Sequence, residues 1–362
     1  IEMMYKVKNK QIKLLELPEK ALTKEENRIE IIDIKDEIKK GNYNIISTKL
    51  DAEIKARLTK DEQIMLLINR KGYAPYMMCK ICGYVPVCPN CQVSLTYYKN
   101  ENLLKCHYCG FEKEYSSNCS SCNNDSIKEV GIAIEQVEKV VKEKYPEAKV
   151  IRMDKTTTTK KGSHESLWYK FYKKDADILI GTQMIAKGLD YENVTLVGVL
   201  QADQDLKIPA YNQDEKTYTL LKQMIGRTGR TKQGLAIIQT YEPNNFIIKS
   251  LKKDYNYYYE ETIAKRILSN YPPISQMGYI VVLGESYFET YKKAFIIQKE
   301  LTEQKIISLG PVQSYILKHN NLYSFKVTVK YKEDDYKTIF ETIKNNQTNK
   351  YLIRFDPYLD IA

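Results

Sequence analysis

The stretch DILIGTQMIAKGLDYENVTLVGVLQAD, residues 177–203, contains two short apolar runs separated by a polar segment with one glycine. Each run, ILIG and TLVGVL, has the length and the absence of polar alternation that a buried parallel strand requires. The first run ends in Gly181-Thr182-Gln183, and the residues after it indicate a short helix that ends at Lys187-Gly188. The stretch therefore predicts two strands of a parallel sheet, each followed by a loop at its carboxyl end.

Strand and helix patterns alternate on both sides of this stretch. Apolar runs typical of strands are QIMLLINR (63–70), KVIRMD (149–154) and GLAIIQTY (234–241). Amphipathic patterns typical of helices are IAIEQVEKVVKEKYP (132–146), HESLWYKFYKK (164–174) and DEKTYTLLKQMIGRTGR (214–230). Such alternation predicts a doubly wound α/β sheet.

All eight cysteines of the chain lie in four C-x-x-C pairs within one short segment. A C-x-x-C turn directs two thiolates at one ion, and tetrahedral zinc takes four soft ligands, so four pairs complete two zinc sites. Disulfides are the disfavoured alternative, because clustered C-x-x-C pairs suit a metal better than bridges. The pairs are Cys79/Cys82, Cys88/Cys91, Cys106/Cys109 and Cys119/Cys122.

The spacing of the pairs indicates which of them share an ion. Fourteen residues, QVSLTYYKNENLLK, separate Cys91 from Cys106, and their β-rich flanks around KNEN resemble a zinc-ribbon hairpin. The second and third pairs are therefore predicted to form an inner site, and the first and fourth pairs an outer site. Pairing in sequence order is the alternative. His107 lies between two ligands of a site that is already complete, so it is predicted not to bind metal.

The same hairpin carries basic and aromatic residues, Tyr97, Tyr98, Lys99 and Lys105. Such a set suits stacking on an unpaired nucleic-acid base at a strand junction. The alternative is that the tyrosines cover a small core built around the metal, because a ribbon has little other core.

Charge and hydropathy restrict the class of partner. The formal net charge of +10 suits a polyanion such as nucleic acid, although it does not identify one. No run of eighteen apolar residues occurs, which predicts no membrane span and no membrane partner. The sequence shows no targeting segment, so a cytoplasmic location is expected.

The string QMIGRTGR, residues 223–230, is the most specific catalytic pattern. Two arginines three residues apart, set by glycines at a helix end, are able to project together into a cleft. A guanidinium group clamps phosphoryl oxygens, and in nucleotide hydrolysis it stabilises charge on the transferred phosphate. Gln223, Arg227 and Arg230 are therefore the candidate catalytic residues. The alternative is a solvated Gly-Arg turn.

Three residues of the opening stretch are candidates for nucleotide binding. Gly188 and Asp190 follow the predicted short helix, and Asp190 is placed to sense a nucleotide ribose or a facing arginine. Thr182 is a neutral donor at a strand end, where a nucleic-acid phosphate is also able to sit. For Asp190 alone, a simple turn at a helix end is the alternative.

Taken in order, the motifs resemble one family. INRKGYAP, C-x-x-C-G, CPNC, L-x-C-H-Y-C-G, DILIGTQMIAKGLD, VTLVGVLQAD, QMIGRTGR, IQTYEP, YPP and LGPV follow one another as in the PriA family of primosomal replication-restart DNA helicases. The resemblance runs from about residue 10 to the C-terminus. Its most specific part is the double zinc insertion inside a helicase lobe.

The resemblance implies a division of the chain into four parts. Residues 1–60 would be the end of helicase lobe 1 and a linker, and residues 61–78 with 131–264 the RecA-like second lobe. Residues 79–130 would be the inserted two-zinc module. A small α+β C-terminal domain would follow over 265–362, with Pro272-Pro273 near its start.

The resemblance also implies function and partners. The family unwinds DNA 3′-to-5′ at abandoned replication forks, using ATP with Mg²⁺, and loads the primosome. The implied partners are forked and single-stranded DNA, primosome proteins, single-stranded-DNA-binding protein and the replicative helicase loader.

Several departures from the family pattern bear on activity. No G-x-x-x-x-G-K-[ST] phosphate loop and no D-E-x-H box occurs in the sequence, and the family carries both in its first lobe. Leu189 stands where the family usually has His, and Gln201 where it often has Asp. The isolated chain is therefore expected not to hydrolyse ATP. The alternatives are a zinc-ribbon nucleic-acid-binding module on a degenerate lobe without motor activity, and a different superfamily 2 translocase that has acquired zinc ribbons.

Overall fold

The computed structural model describes most of the chain. It covers residues 1–17, 27–68, 77–90, 94–98, 101–106, 109–129, 134–186, 191–206, 210–229, 233–319 and 321–357, with the backbone alone at 129, 204, 205 and 315–319. The strands are β1 (Arg28–Asp33), β2 (Gln63–Leu67), β3 (Met77–Cys79), β4 (Thr96–Tyr98), β5 (Leu103–Lys105), β6 (Glu112–Glu114), β7 (Ile127–Glu129), β8 (Val150–Met153), β9 (Ile178–Gly181), β10 (Val194–Val199), β11 (Leu235–Thr240), β12 (Gln276–Gly284), β13 (Ile307–His319), β14 (Leu322–Tyr331) and β15 (Tyr351–Asp356).

The helices are α1 (Glu2–Lys8), α2 (Ile34–Lys39), α3 (Thr48–Leu58), α4 (Ile134–Lys144), α5 (Ser163–Tyr172), α6 (Asp203–Leu206), α7 (Gln213–Ile225), α8 (Phe246–Ser250), α9 (Tyr255–Leu268), α10 (Tyr287–Glu303) and α11 (Tyr336–Asn346). Short 3₁₀ turns occur at Gln183–Ala186 and Glu333–Asp335. In the described part of the chain, no helix is both long and apolar enough to cross a membrane.

A six-stranded parallel sheet, in the order β1-β11-β10-β2-β9-β8, forms the largest unit. Successive residues of a strand point to opposite faces, so each strand contributes to two cores. Met65 and Leu67 of β2 pack with α5, α7, α8 and α9 on one face. Ile64 and Leu66 of the same strand pack with α3 and α4 on the other face. The predicted doubly wound α/β fold is confirmed.

The edge strand β1 comes from the segment 1–60, which the family resemblance assigns to the end of helicase lobe 1 and a linker. β1 pairs with β11 over its whole length. Ile29 and Ile31 pack on one face of the sheet and Ile32 on the other, which is the alternation a half-buried edge strand needs. Helix α3 then covers the second face, starting at Ser47, whose Oγ accepts a hydrogen bond from the Leu50 amide (3.3 Å). Residues 28–58 therefore belong to the sheet unit rather than to a separate lobe.

A cysteine-rich module is inserted between β2 and α4. It consists of the two-stranded sheet β3-β7 and the three-stranded sheet β4-β5-β6, all antiparallel. Its small core is made of cysteines with a few apolar side chains such as Met77, Leu95, Leu104 and Ile127. In the sequence it follows β2, a central strand of the six-stranded sheet, and precedes α4.

The C-terminal unit is a four-stranded antiparallel sheet in the order β13-β14-β12-β15. α10 and α11 cover one face, where Ile297, Leu301 and Ile339 pack on Val282 and Val327. This is the small α+β domain that the sequence predicts.

Side chains from all three units meet at one joint. Met277 of β12 is buried in the cysteine-rich core, beside Tyr211 and Tyr271. The rings of these two tyrosines stack with centroids 5.7 Å apart. The cysteine-rich module is therefore packed against both the α/β lobe and the C-terminal domain.

Candidate functional site

The outer cysteine cluster brings together the first and fourth C-x-x-C pairs. The sulfur atoms of Cys79, Cys82, Cys119 and Cys122 all lie within 4.8 Å of one another. Two cross-pair distances, Cys79 to Cys122 and Cys82 to Cys119, are both 3.6 Å. A tetrahedron with zinc–sulfur bonds of about 2.3 Å has edges of about 3.8 Å, so these four donors fit one zinc ion.

The inner cluster brings together residues of the second and third pairs. Cys88, Cys106 and Cys109 have their sulfur atoms within the same 4.8 Å limit, and Cys88 lies 3.5 Å from Cys109. Cys91, the fourth predicted ligand, and His107 lie outside the described residues. The nested arrangement, rather than pairing in sequence order, is the one the structure contains.

Three of the C-x-x-C turns, here called knuckles, have the same backbone geometry; they begin at Cys79, Cys106 and Cys119. The backbone amide of the first cysteine donates a hydrogen bond to the carbonyl of the residue five positions later. The donor–acceptor distance is 2.8 Å for Cys79, 2.8 Å for Cys106 and 2.9 Å for Cys119. The residue four positions after the cysteine returns its amide to the cysteine carbonyl and has a positive φ. These residues are Gly83 (79°), Gly110 (77°) and Asn123 (58°), types that tolerate the left-handed region. The sequence therefore builds three similar turns that aim paired sulfurs inward.

Hydrogen bonding lowers the pKa of two thiols of the outer cluster, Cys79 and Cys122. The side-chain amide of Asn124 donates to Cys122 Sγ (3.4 Å) and, with the Asn124 backbone amide, lowers the pKa of Cys122 to about 6. Burial instead raises the pKa of Cys82, to about 12. Zinc displaces thiol protons on binding, so a thiolate at Cys122 provides a first ligand at neutral pH.

The chain is expected to bind two equivalents of zinc, one in each cluster. Cys91→Ser should lose one equivalent and leave the other, since the two clusters share no ligand. Metal analysis of the purified protein checks both numbers. One equivalent or none in the unaltered chain would contradict the two-site prediction, and loss of both ions in the variant would mean that one site needs the other to form.

Gly83 joins the outer cluster to the α/β lobe. A Cβ added there would meet Tyr241 Cβ at 2.7 Å, so the knuckle lies directly against the residue that follows β11. The Tyr241 amide donates to the Asp203 carboxylate (2.8 Å), which also accepts from the Thr240 hydroxyl (2.6 Å). Because these contacts join distant segments, no local sequence signal identifies them.

Gly83→Ala is expected to lower the stability of the protein by about 1–3 kcal/mol, because alanine is strained at this φ, and to weaken the outer zinc site. Gly41→Ala is the matched control. Gly41 has a similar φ of +84° but nothing within 4 Å of an added Cβ. Thermal unfolding and zinc titration of both variants measure the difference. Equal effects on zinc affinity would show that the contact with Tyr241 has no role.

Arg227 connects the two predicted catalytic stretches. It follows the end of α7, and its Nε and Nη2 atoms donate to the carbonyl of Ala186 at 3.1 and 2.7 Å. Ala186 ends the 3₁₀ turn after β9, which starts one residue beyond Thr182. The nearby ring of Tyr191 is buried, and burial raises the pKa of its hydroxyl to about 12, with the Arg227 charge acting in the opposite direction. Arg227 therefore holds the turn at the carboxyl end of β9.

The other predicted residues of this region are only partly described. Gln223 is exposed on α7, and Thr182 is half-buried at the end of β9. Gly188, Asp190 and Arg230 lie outside the described residues, so the structure does not show whether they meet Arg227.

Asn27 supports the Gly-Arg turn, a role that the sequence did not predict. Its side-chain amide donates to the carbonyls of Ile225 (2.8 Å) and Thr228 (3.0 Å), which lie at the C-terminal end of α7 and in the turn after it. Asn27 is separated from these carbonyls by 198 and 201 residues in the sequence, so no local pattern indicates the contact.

Two family models match the chain over the elements just described. The PriA DNA helicase Cys-rich region (CRR) domain matches residues 88–113. The helicase conserved C-terminal domain matches residues 119–232.

Curated relatives with the name replication restart protein PriA are similar over most of the chain. The protein of Bacillus subtilis (strain 168) is 39% identical, over 91% of this chain and 43% of its own length. The chain belongs to the PriA family. The PriA of Synechocystis sp. is 34% identical over 88% of this chain and 39% of its own length. The PriA of Borreliella burgdorferi is 33% identical over 100% of this chain and 54% of its own length.

The chain thus spans about half the length, or less, of the PriA relatives it matches. The inner cysteine cluster lies within the match to the PriA cysteine-rich region, and Arg227 lies within the helicase match.

Proposed function

We propose that the chain is the C-terminal portion of an ATP-dependent 3′-to-5′ DNA helicase that recognises stalled or abandoned replication forks and initiates primosome assembly. One observation carries the proposal. A helicase C-terminal lobe and a PriA cysteine-rich module occur in a single chain, and they are packed together through Gly83 and Tyr241.

The lobe would supply one side of an ATP cleft. Arg230 and Arg227 follow α7, where guanidinium groups would stabilise negative charge on the transferred phosphate of ATP. Gly188, Asp190 and Thr182 would contribute the facing loop, and Gln223 would lie beside the arginines. The phosphate cradle, its lysine and the carboxylate that holds Mg²⁺ would come from a first lobe, since this sequence contains no such motif.

The cysteine-rich module would serve DNA handling and partner contacts more than the ATP cycle. Its two clusters would each hold a structural Zn²⁺, which orders the module but leaves no open position for chemistry. Forked and single-stranded DNA, primosome proteins, single-stranded-DNA-binding protein and the replicative helicase loader are the proposed partners, and the cytoplasm, at the nucleoid, is the proposed location.

The isolated chain is expected to show no ATP turnover, with or without single-stranded DNA, because it lacks the phosphate cradle. The protein expressed from its complete reading frame is expected to hydrolyse ATP in a DNA-dependent manner and to unwind a forked substrate. Phosphate release and strand displacement measure the two activities. DNA-stimulated turnover by the isolated chain would contradict the assignment of the missing parts to another lobe.

The second candidate is a zinc-ribbon nucleic-acid-binding module on a lobe without motor activity. The missing phosphate loop is compatible with either candidate, because the family carries that motif in its first lobe. DNA binding by the complete protein without any ATP turnover would support this candidate over the helicase.

A further inference from the structure

A cleft of about 250 Å³ lies between the cysteine-rich module and the C-terminal domain. One wall is the β4-β5-β6 hairpin region with the inner cysteine knuckle, and the other is α10 with the start of β13. The two walls meet at the floor, where a Cβ added to Gly110 would contact Val312 Cγ1 at 3.4 Å. Two units of the fold therefore build the cleft jointly.

Aromatic rings form the α10 wall. Tyr287, Tyr291 and Phe295 are four residues apart, which places them on one face of the helix, and they are 47%, 40% and 48% exposed. Buried Phe325 lies beneath and meets the rings of Tyr287 and Tyr291 edge-on, with centroids 5.1 and 5.5 Å away. The wall is thus an exposed aromatic surface on a fixed support.

The hairpin wall contributes Tyr98, with the ammonium of Lys105 at 5.3 Å from its ring centroid. The neighbouring Tyr97 points elsewhere. Its ring packs on Tyr115 at 4.7 Å, and its hydroxyl donates to Asn102 (3.1 Å). Of the two tyrosines that the sequence offered for base stacking, Tyr98 lines the cleft and Tyr97 packs in the module.

The charge of the cleft is balanced rather than positive. Lys105 Nζ lies 2.6 Å from a Glu101 carboxylate oxygen and 2.9 Å from one of Glu112. A free anion would meet these carboxylates, so the lining does not favour phosphate or an acidic peptide. A flat, uncharged group with polar edges fits better, because it stacks on the rings while Gln313, which also lines the cleft, has a side-chain amide for its edge.

We propose that this cleft binds one unpaired base of single-stranded DNA, stacked against Tyr291 and Phe295 with Tyr98 on the opposite side. The proposal rests on the proposed function for its ligand class. The volume is just below the roughly 300–1,000 Å³ of sites for drug-sized ligands, so it suits a single base and not a folded segment. The sugar-phosphate backbone stays outside, where the net charge of +10 attracts it.

The test uses the complete protein and a short single-stranded oligonucleotide that carries one 5-iodouracil. Phe295→Ala and Tyr291→Ala should each weaken binding about fivefold or more, and Phe295→Trp should restore it, because stacking accepts any large ring. Photocrosslinking followed by mass spectrometry should place the base on Tyr98, Tyr291 or Phe295. Phe288→Ala is the matched control, since Phe288 is on the same helix and 67% exposed but does not line the cleft.

The outcomes separate this inference from the function on which it rests. Unchanged oligonucleotide binding by both cleft variants, or an equal loss in Phe288→Ala, would overturn the cleft as a base site while leaving the helicase proposal in place. No binding of single-stranded DNA by the unaltered protein would overturn the proposed function and the cleft assignment together. Melting temperatures of all variants identify a loss of binding that comes from unfolding. If Phe295→Trp bound the oligonucleotide as weakly as Phe295→Ala does, that result would also contradict stacking.

Discussion

Arg230→Ala should lower the DNA-stimulated ATP turnover of the complete protein by about 10³–10⁵-fold, with fork binding largely retained. An arginine that stabilises the transferred phosphate contributes a factor of this size in related nucleotide hydrolysis. Its loss leaves the DNA-binding surfaces intact, so binding measured by fluorescence anisotropy should change little. Steady-state phosphate release measures the turnover. Normal turnover with weakened DNA binding would move Arg230 from the ATP cleft to the DNA surface.

Arg227→Ala is the comparison variant, and we expect it to change stability as well as ATP turnover. The sequence does not rank the two arginines, but the structure ties Arg227 to the Ala186 carbonyl through two hydrogen bonds. Removing a charged donor of this kind costs about 1.5–3 kcal/mol, so this variant should lose stability as well as turnover. The melting temperature of Arg227→Ala, compared with that of the unaltered protein, measures this loss. Arg28→Ala is the control for charge alone, because Arg28 is 68% exposed on β1 of the same lobe.

The sequence predicted the parts of the fold that have local signals. Apolar runs such as 63–70 and 234–241 identified strands of the parallel sheet, because strands buried on both faces cannot alternate with polar residues. The fourteen-residue spacer between Cys91 and Cys106 indicated the nested cysteine arrangement, since a hairpin of that length returns the chain to its start. Both predictions depend on residues that are near one another in sequence.

The features that the sequence did not predict depend on distant contacts. β1 joined the sheet through pairing with β11, some two hundred residues later, and its short alternation fits any half-buried strand. Tyr97 and Tyr98 are equivalent by composition, and their neighbours in the fold distinguish them, Tyr115 for Tyr97 and Lys105 for Tyr98. Asn27 and Met277 likewise acquire their roles from tertiary neighbours.

Removal of zinc should unfold the cysteine-rich module while most of the other two units remain folded. Four of the nine buried residues of its core are cysteines of the two clusters, so the apolar contacts that remain without the metal are few. Apparent zinc-binding free energies of about 10–16 kcal/mol in zinc-finger peptides show how much folding energy such a site supplies. Hydrogen exchange with and without a zinc chelator should show loss of protection over residues 77–129. The six-stranded sheet and α10 should remain protected.

The effect should also reach the two contacts that leave the module. Met277 loses the core that covers it, and Tyr241 loses the knuckle at Gly83, so exchange at both positions should rise. Cys119→Ser should raise hydrogen exchange around the outer cluster without any chelator. Cys119 is 1% exposed, and its sulfur lies 3.6 Å from that of Cys82. Ser120→Ala, one residue along on the exposed side, is the control and should leave exchange unchanged. If protection over 77–129 persisted in protein shown by metal analysis to be zinc-free, packing against the lobe and the C-terminal domain would hold the module in place of the metal. The zinc ions would then have no structural role in joining the three units.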